Sequence, residues 1–348
     1  MKNAAASEAN DSQSIWLAKL KSVSVTLEET EAEPWGTSFW NEQETLLLFF
    51  YLPVVESLEI IACSLRDVHG GLRDEEDVDT SFEWPLDVPP LSQTLTTLCL
   101  IRSSMDPLTI HRMLRQTPNV KVFHYDCYLH PGHAPLRLSI LRDALQHIRS
   151  SLTDLTVRYE HYNNEDMDDI AVETENAVRG SLGPLHGFPV LTALTTSFPV
   201  LFGIDTNTPD DRLKLGEYLP QTLERLTITN DLCMYEALGG LFDDLNAMAI
   251  FRQYLAGQIL NSRRGVSLDL GLHLGPMDDC LSWVQDREPE WKAATPRLKK
   301  LIYDVERQLC MGYWLLPEPR KQLLELCKGQ GIEGDVVPQY DLAATSEV

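Results

Sequence analysis

The chain has 348 residues, 43% of them hydrophobic, so it can bury a substantial core in one elongated domain or two compact ones. It carries 29 Lys and Arg against 52 Asp and Glu, a formal net charge of −23. A surface this negative repels phosphate backbones and anionic lipid, and no basic cluster reverses it locally. Nucleic acid is therefore not expected as a partner.

The ends and the cysteines give no sign of export or membrane insertion. Residues 1–14 lack an apolar segment and are expected to form a disordered tail, as are residues 339–348. The longest apolar run, LLLFFYLPVV at 46–55, is half the ~20 residues that a membrane helix needs. Seven dispersed cysteines without a C-x-x-C pair fit a reducing compartment. We expect a cytoplasmic or nuclear protein with no membrane partner.

One short pattern recurs along the chain: apolar-x-x-apolar-x-apolar, whose last three positions alternate as in a β-strand. Each copy is called a frame here, and its positions are counted from its first residue. The intervals between frames run from 25 to 42 residues, as in repeat architectures. Clear frames begin at Leu20 (LKSVSV), Val55 (VESLEI), Leu95 (LTTLCL), Val120 (VKVFHY), Leu152 (LTDLTV), Leu223 (LERLTI) and Leu298 (LKKLIY), and weaker ones at Leu191 (LTALTT) and Gly265 (GVSLDL).

Prolines stand at a fixed distance before several frames. Pro53, Pro118, Pro189 and Pro296 each precede a frame by two residues. Proline cannot continue a helix and biases the residue before it towards extended geometry. The placement therefore predicts that each unit consists of a helix, a break and a short strand.

The unit before the frame at Val120 shows this order most fully. Asp106 is suited to cap a helix, Pro107 fits its first position, and LTIHRMLRQT at 108–117 carries an apolar stripe. Helical stretches are also predicted at 41–52, 136–151 and 242–260.

The predicted fold class is α/β, an irregular solenoid with short parallel strands on one face and helices on the other. One strand and one helix cannot bury their apolar sides alone, whereas stacked units share a continuous core. We expect a single solenoid over residues 15–338, with acidic loops near 66–88 and 159–180.

The frame resembles the leucine-rich repeat, L-x-x-L-x-L-x-x-N/C. The copy VESLEIIAC places Cys63 at the ninth position, where other copies carry different residues. The stretches LPQTLERLTITNDL at 219–232 and RKQLLELCKGQGIEGDV at 320–336 resemble the repeat regions of fungal F-box proteins, and the resemblance extends over residues 15–336. Ninth positions that depart from the motif are Ser103, Tyr128, Glu160, Pro199 and Asp231.

In that family the repeats present a protein substrate to a ubiquitin ligase, and an N-terminal F-box docks the adaptor subunit. No F-box is recognised in this chain, so an adaptor is expected as a partner only if an F-box lies upstream. The resemblance thus implies a recognition surface for a protein.

The segment VFHYDCYLHPGH at 122–133 spaces His124, Cys127, His130 and His133 three residues apart. On an extended chain that spacing separates neighbouring side chains by ~10 Å, too far for four ligands to converge. We interpret the segment as the end of a strand and a turn, and expect no metal or other cofactor.

Three other segments have structural explanations. GQGIEG at 329–334 follows a helical stretch, which reverses the strand–glycine–helix order of a dinucleotide site and predicts a helix C-cap. YEHYNNEDMDD at 159–169 has no glycine at the bend of a calcium loop and is interpreted as a solvated loop. In LRDEEDVDTSFEW at 72–84, Phe82 and Trp84 are expected to anchor an acidic segment that suits a basic partner.

Frame positions 3 and 5 are predicted to point away from the core, on what we call the open face of the sheet. Our leading hypothesis is a non-enzymatic protein-recognition scaffold that binds its partner there. The alternative is a hydrolase or other enzyme on an α/β fold, although no catalytic constellation is recognisable. The candidate binding residues are Glu59, Thr97, Cys99, His124, Asp154, Thr156, Arg225, Thr227, Asp269 and Lys300.

Overall fold

The chain folds as an α/β protein with a nine-stranded parallel sheet. The predicted tails at 1–14 and 339–348 lie outside the described residues. The structure, a computed structural model, describes residues 19–26, 46–61, 84–103, 105–129, 136–161, 178–203, 214–231, 242, 244–260, 283–285, 287–305, 314 and 317–337.

The strands of this sheet lie side by side in chain order, and each pairs in parallel with its neighbours. Two small pairs lie outside it: Leu136–Arg137 with Val178–Arg179, and Gln258–Leu260 with Trp283–Gln285. The strands are β1 Ser22–Thr26, β2 Ser57–Ile61, β3 Thr97–Ser103, β4 Val122–Leu129, β5 Asp154–His161, β6 Ala193–Ser197, β7 Arg225–Thr229, β8 Lys300–Asp304 and β9 Glu333–Val337.

Helical segments lie between the strands along the chain. Residues 46–48 are also helical and continue into the first of three 3-10 turns. The helices are α1 Pro107–Arg115, α2 Leu138–Leu145, α3 Phe198–Phe202, α4 Asp244–Ala256, α5 Trp291–Ala294 and α6 Pro317–Gly329, and the 3-10 turns are Phe49–Tyr51, Gln146–Ile148 and Leu215–Glu217.

Eight of the predicted frames lie among the described residues, and each supplies one strand that starts at its third position. The prolines that precede frames, such as Pro53 and Pro118, lie in turns as predicted. Two strand ends were predicted too early. Cys127 and Tyr128 belong to β4, not to a turn, and residues 159–161 belong to β5, not to an acidic loop.

The interval between β7 and β8 differs from the expected spacing of one strand per frame. The frame at Gly265 lies outside the described residues, but Arg225 of β7 pairs directly with Lys300 of β8. β7 and β8 are therefore adjacent in the sheet. The described part of the interval contains α4 and the two strands of a small antiparallel pair.

One hydrogen-bond arrangement recurs where neighbouring frames meet. The N–H groups at frame positions 2 and 3 both donate to the carbonyl at position 2 of the preceding frame. At one junction Thr96 and Thr97 donate to Glu56, with N···O distances of 2.8 and 3.0 Å. The same pair of bonds occurs at all seven junctions between the described frames, from Lys21 to Lys300. It aligns every strand start with the next.

Hydroxyl side chains reinforce several of these junctions. The side-chain hydroxyls of Thr96, Thr153 and Thr192, all at position 2, donate to the same position-2 carbonyls. Each O···O distance is 3.1 Å. A hydroxyl on the residue just before a frame donates to the carbonyl at position 1 of the preceding frame. Examples are Ser151 Oγ to Val120 O at 2.8 Å and Thr222 Oγ1 to Leu191 O at 2.7 Å. These bonds satisfy carbonyls where the chain turns into each strand.

Frame positions 4 and 6 point towards the helices and form the core. Leu58, Leu155 and Leu226, all at position 4, are fully buried in one cluster that includes the apolar faces of the helices. Under β8 this cluster is aromatic: the ring of Tyr303 lies 4.6 Å from that of Trp314. The alternation seen in the sequence thus separates a buried face from an open one.

The helix cap predicted in GQGIEG is confirmed. α6 ends at Gly329, and Gly331 has a φ of 74°, a conformation that suits glycine. The N–H of Ile332 donates to Cys327 O at 2.9 Å and that of Gly331 to Lys328 O at 3.1 Å, the two bonds of a Schellman motif. The chain then enters β9.

Replacing Leu155 by alanine is expected to lower the free energy of unfolding by about 2–5 kcal/mol, because it leaves a cavity in the core. Thr156→Ala, one residue further and on the open face, should change it by no more than about 0.5 kcal/mol. Urea unfolding followed by circular dichroism measures both. Equal losses would contradict the assignment of position 4 to the core.

Candidate functional site

The open face consists of rows of side chains that the strand register aligns across the sheet. Nine of the ten predicted site residues lie on it, and the tenth, Asp269, is outside the described residues. The position-3 row is Ser22, Ser57, Thr97, Val122, Asp154, Ala193, Arg225 and Lys300, and the position-5 row is Ser24, Glu59, Cys99, His124, Thr156, Thr195, Thr227 and Ile302.

These side chains are not equally accessible. Arg225 is exposed, and most of the row members are half-buried. Thr227 is only 8% exposed, and in the register it lies between Thr195 and Ile302. Thr227 therefore belongs to the floor of the face, where little of its side chain is accessible to a partner.

Negative charge is concentrated around Cys99, in what we call the acidic centre: Glu59, Cys99, Asp126 and Asp154. Burial raises the pKa of the Cys99 thiol above its ordinary value, and the charges of Glu59, Asp126 and Asp154 raise it further. The thiol is accordingly protonated at neutral pH. The part of the pKa shift that follows burial comes from these three carboxylates, so negative charge surrounds the thiol.

Each carboxylate of the acidic centre has a neighbour on the face. Glu59 accepts a hydrogen bond from Ser24 Oγ at 2.6 Å, and Asp154 pairs with Arg225 at 2.9 Å. Asp126 Oδ2 lies 3.2 Å from His124 Nε2. Its other oxygen, Oδ1, is buried and accepts no hydrogen bond from any described residue. Asp126 is therefore the least satisfied member of the centre.

A further row, at frame position 7, carries charged residues that the sequence analysis did not include. Asp126, Arg158 and Asp304 belong to it, on β4, β5 and β8. The Nη2 of Arg158 lies 3.9 Å from a carboxylate oxygen of Asp304 and 3.9 Å from one of Asp231. One guanidinium thus stands between two carboxylates that come from residues far apart in the chain.

Asp231 is the buried half of this arrangement, and it closes a gap in the sheet. β6 ends at Ser197, where α3 begins, while β5 continues to His161. Beyond the end of the β5–β6 ladder, the N–H of Tyr159 donates to Asp231 Oδ2 at 3.0 Å, and the hydroxyl of Thr229 donates to the same oxygen at 2.8 Å. A carboxylate from the turn just after β7 therefore reaches across the short strand to β5.

The buried position of Asp231 has an electrostatic cost. Burial raises the pKa of Asp231 above its ordinary value, and the opposing effects of Arg158 and the two hydrogen bonds do not cancel it. Its second oxygen, Oδ1, accepts no hydrogen bond from the described residues. Asp231 stands at the ninth position of its frame, where the repeat motif has Asn or Cys. The polar residue at this motif position is the feature of the sequence that could have indicated the structural role of Asp231.

A β-bulge borders the acidic centre. Leu100 pairs with Tyr125 and Ser103 with Cys127, so Ile101 and Arg102 together oppose the single residue Asp126. Arg102 has a φ of 48°, a left-handed conformation that is uncommon outside glycine. The bulge returns Ser103 to the buried side and leaves Arg102 exposed at the margin of the face.

Two interpretations from the sequence concern metal ligands and an aromatic anchor. Cys127 is buried in the core whereas His124 lies on the open face, so these two do not converge; His130 and His133 lie outside the described residues. Within the described ranges, no group of three or more His, Cys, Asp and Glu side chains could hold a metal ion.

Trp84 packs on the core, its ring 5.8 Å from that of Phe50, while Phe82 is not described.

Comparison of the chain with protein-family models, with curated proteins and with solved structures found no match. In the described segments, no helix combines the length and the apolar character required to span a bilayer.

Asp231→Ala is expected to lower the free energy of unfolding by about 1–3 kcal/mol, because the buried N–H of Tyr159 loses its acceptor. Asp231→Asn keeps an acceptor oxygen and should cost less. Chemical denaturation of both variants at neutral pH measures the difference. An alanine variant as stable as the asparagine variant would contradict the bridging role.

The raised pKa of Asp231 also predicts a pH effect. The folded state holds this proton more tightly than the unfolded state, so the stability that protonation contributes is present below about pH 4 and is lost as pH rises through the folded pKa. The stability of Asp231→Asn relative to the natural chain should therefore increase from about pH 4 to pH 7. Denaturation at several pH values measures this difference, and a relative stability that stays constant over the range would refute the assignment.

Proposed function

We propose that the protein is a non-enzymatic scaffold that binds a protein partner on its open face. The observation that carries this proposal is the alignment of frame positions 3, 5 and 7 into continuous rows over consecutive parallel strands. Such rows form one long, mostly polar surface on a stiff support, a shape suited to an extended protein contact.

The fold belonging to this proposal is an irregular leucine-rich-repeat-like solenoid. Three features support it: the strands follow chain order, each frame supplies one strand, and the same pair of backbone hydrogen bonds joins all seven described frame junctions. In a solenoid each unit contacts mainly its neighbours, so identical junctions are the expected result.

The charges of the open face favour a partner with a basic patch. Arg225 already pairs with Asp154, and Lys300 pairs with Glu333 at 2.6 Å, so these cations are compensated within the face. Glu59 has the hydroxyl of Ser24 beside it, and Asp126 has the ring of His124. Together with the net charge of −23, this leaves the acidic centre complementary to Lys or Arg.

A narrower form of the proposal is that the scaffold presents its partner to a ubiquitin ligase. It rests on the resemblance of residues 219–232 and 320–336 to the repeats of fungal F-box proteins. Co-purification with a ligase adaptor subunit tests this form separately. If no adaptor co-purifies but a partner crosslinks to the open face, the role in a ubiquitin ligase is rejected and the proposal of a protein-binding scaffold is kept.

Site-specific photo-crosslinking tests the binding face. A photoreactive residue at Thr97, in the middle of the position-3 row, should crosslink the partner in cells, whereas one at Glu325, exposed on α6, should not. Crosslinks that form at Glu325 and not at Thr97 would place the interface on the helices and refute the proposal.

A matched charge reversal provides a quantitative test with the partner identified in this way. Glu59→Arg should weaken binding by about tenfold or more, because it replaces attraction with repulsion at the acidic centre. Glu325→Arg changes the net charge equally on the opposite side and should leave the affinity within about twofold. Isothermal titration calorimetry at two salt concentrations measures both. Equal effects of the two variants would show that only overall charge matters.

A further inference from the structure

Two histidines on neighbouring helical segments bring their ring nitrogens together, away from the open face. His111 lies on α1, which precedes β4, and His147 lies in the 3-10 turn that precedes β5. Their Nε2 atoms are 3.1 Å apart, and their ring centroids are 4.7 Å apart at an interplanar angle of 74°. His147 is exposed and His111 half-buried, so both rings are accessible from solvent.

Without an ion, the 3.1 Å separation is that of a hydrogen bond between the two rings, and the same separation fits two imidazoles that bind one ion. Nitrogen ligands lie about 2.0–2.1 Å from Zn²⁺, so two of them 3.1 Å apart subtend roughly 100° at the ion. That angle lies between the octahedral value of about 90° and the tetrahedral value of about 109°. Imidazole is also a preferred ligand of Zn²⁺, Cu²⁺ and Ni²⁺.

The backbone that carries the two rings is anchored by buried neighbours in the chain. Ile110, adjacent to His111, and Ile148, adjacent to His147, are both fully buried in the core. The backbone of each ligand is therefore anchored before an ion arrives. A preorganised pair loses little conformational entropy on chelation.

We propose that His111 and His147 form a binding site for a divalent transition-metal ion of the Zn²⁺, Cu²⁺ or Ni²⁺ class, with solvent completing the coordination shell. The bound ion ties the helical segment before β4 to the one before β5. Arg115 lies one turn along α1 from His111, and its positive charge acts on His147. The site is therefore a weak, exchangeable one.

The test uses the untagged full-length chain and ZnCl₂ or CuSO₄ alone as the probe. Thermal unfolding should shift upward with metal concentration, since the ion binds the folded chain. His111→Gln and His147→Gln should each abolish this shift and weaken metal binding by about 10²-fold in calorimetry, because one imidazole remains. His186→Gln, at an exposed histidine in a turn, is the matched control and should behave as the natural chain.

Spectroscopy of the Cu²⁺ complex counts the nitrogen ligands of the ion, which thermal unfolding does not. Electron paramagnetic resonance should show coupling to two nitrogen ligands in the natural chain and to one in either single variant. The site is refuted if the natural chain shows no metal-dependent shift, if His111→Gln or His147→Gln binds as the natural chain does, or if His186→Gln loses binding equally.

Discussion

The structure depends on one repeated constraint, the acceptance of two N–H groups by the carbonyl at frame position 2. Because positions 2 and 3 of each frame both bond to that carbonyl, a strand cannot slip relative to its neighbour without breaking both bonds. A slip of one residue would also exchange the buried and open sides of the strand. The register, the core at positions 4 and 6, and the rows of the open face all follow from this contact.

At the carboxyl ends of the strands, a side chain compensates for one strand, β6, that is shorter than its neighbour. β6 is short because the chain turns into α3 at Phe198, and the longer β5 beside it would otherwise leave a backbone donor without an acceptor. Asp231 supplies that acceptor at the cost of burying a carboxylate, and Arg158 offsets part of its charge. This closure keeps the face continuous from the acidic centre to the strands beyond the gap.

The acidic centre and the histidine pair lie on opposite sides of the same units. His124 of β4 belongs to the open face, whereas His111 of the helix before β4 belongs to the helical side. A partner on one side and a metal ion on the other would thus act on the same two units. They are separated because β4 and β5 form the open face, whereas the helical segments that precede these two strands pack against the buried face.

Local patterns in the sequence were sufficient to predict eight of the nine strands of the parallel sheet, several helix ends and the residues of positions 3 and 5. Alternation with a period of two depends only on the chain itself, and the caps at Asp106 and Gly331 are local as well. The direct pairing of β7 with β8, and the meeting of Arg158 with Asp231 and Asp304, depended on which strands become neighbours. Only the tertiary structure decides that, because strand pairing joins residues more than seventy positions apart in the chain, and no local pattern records the partner.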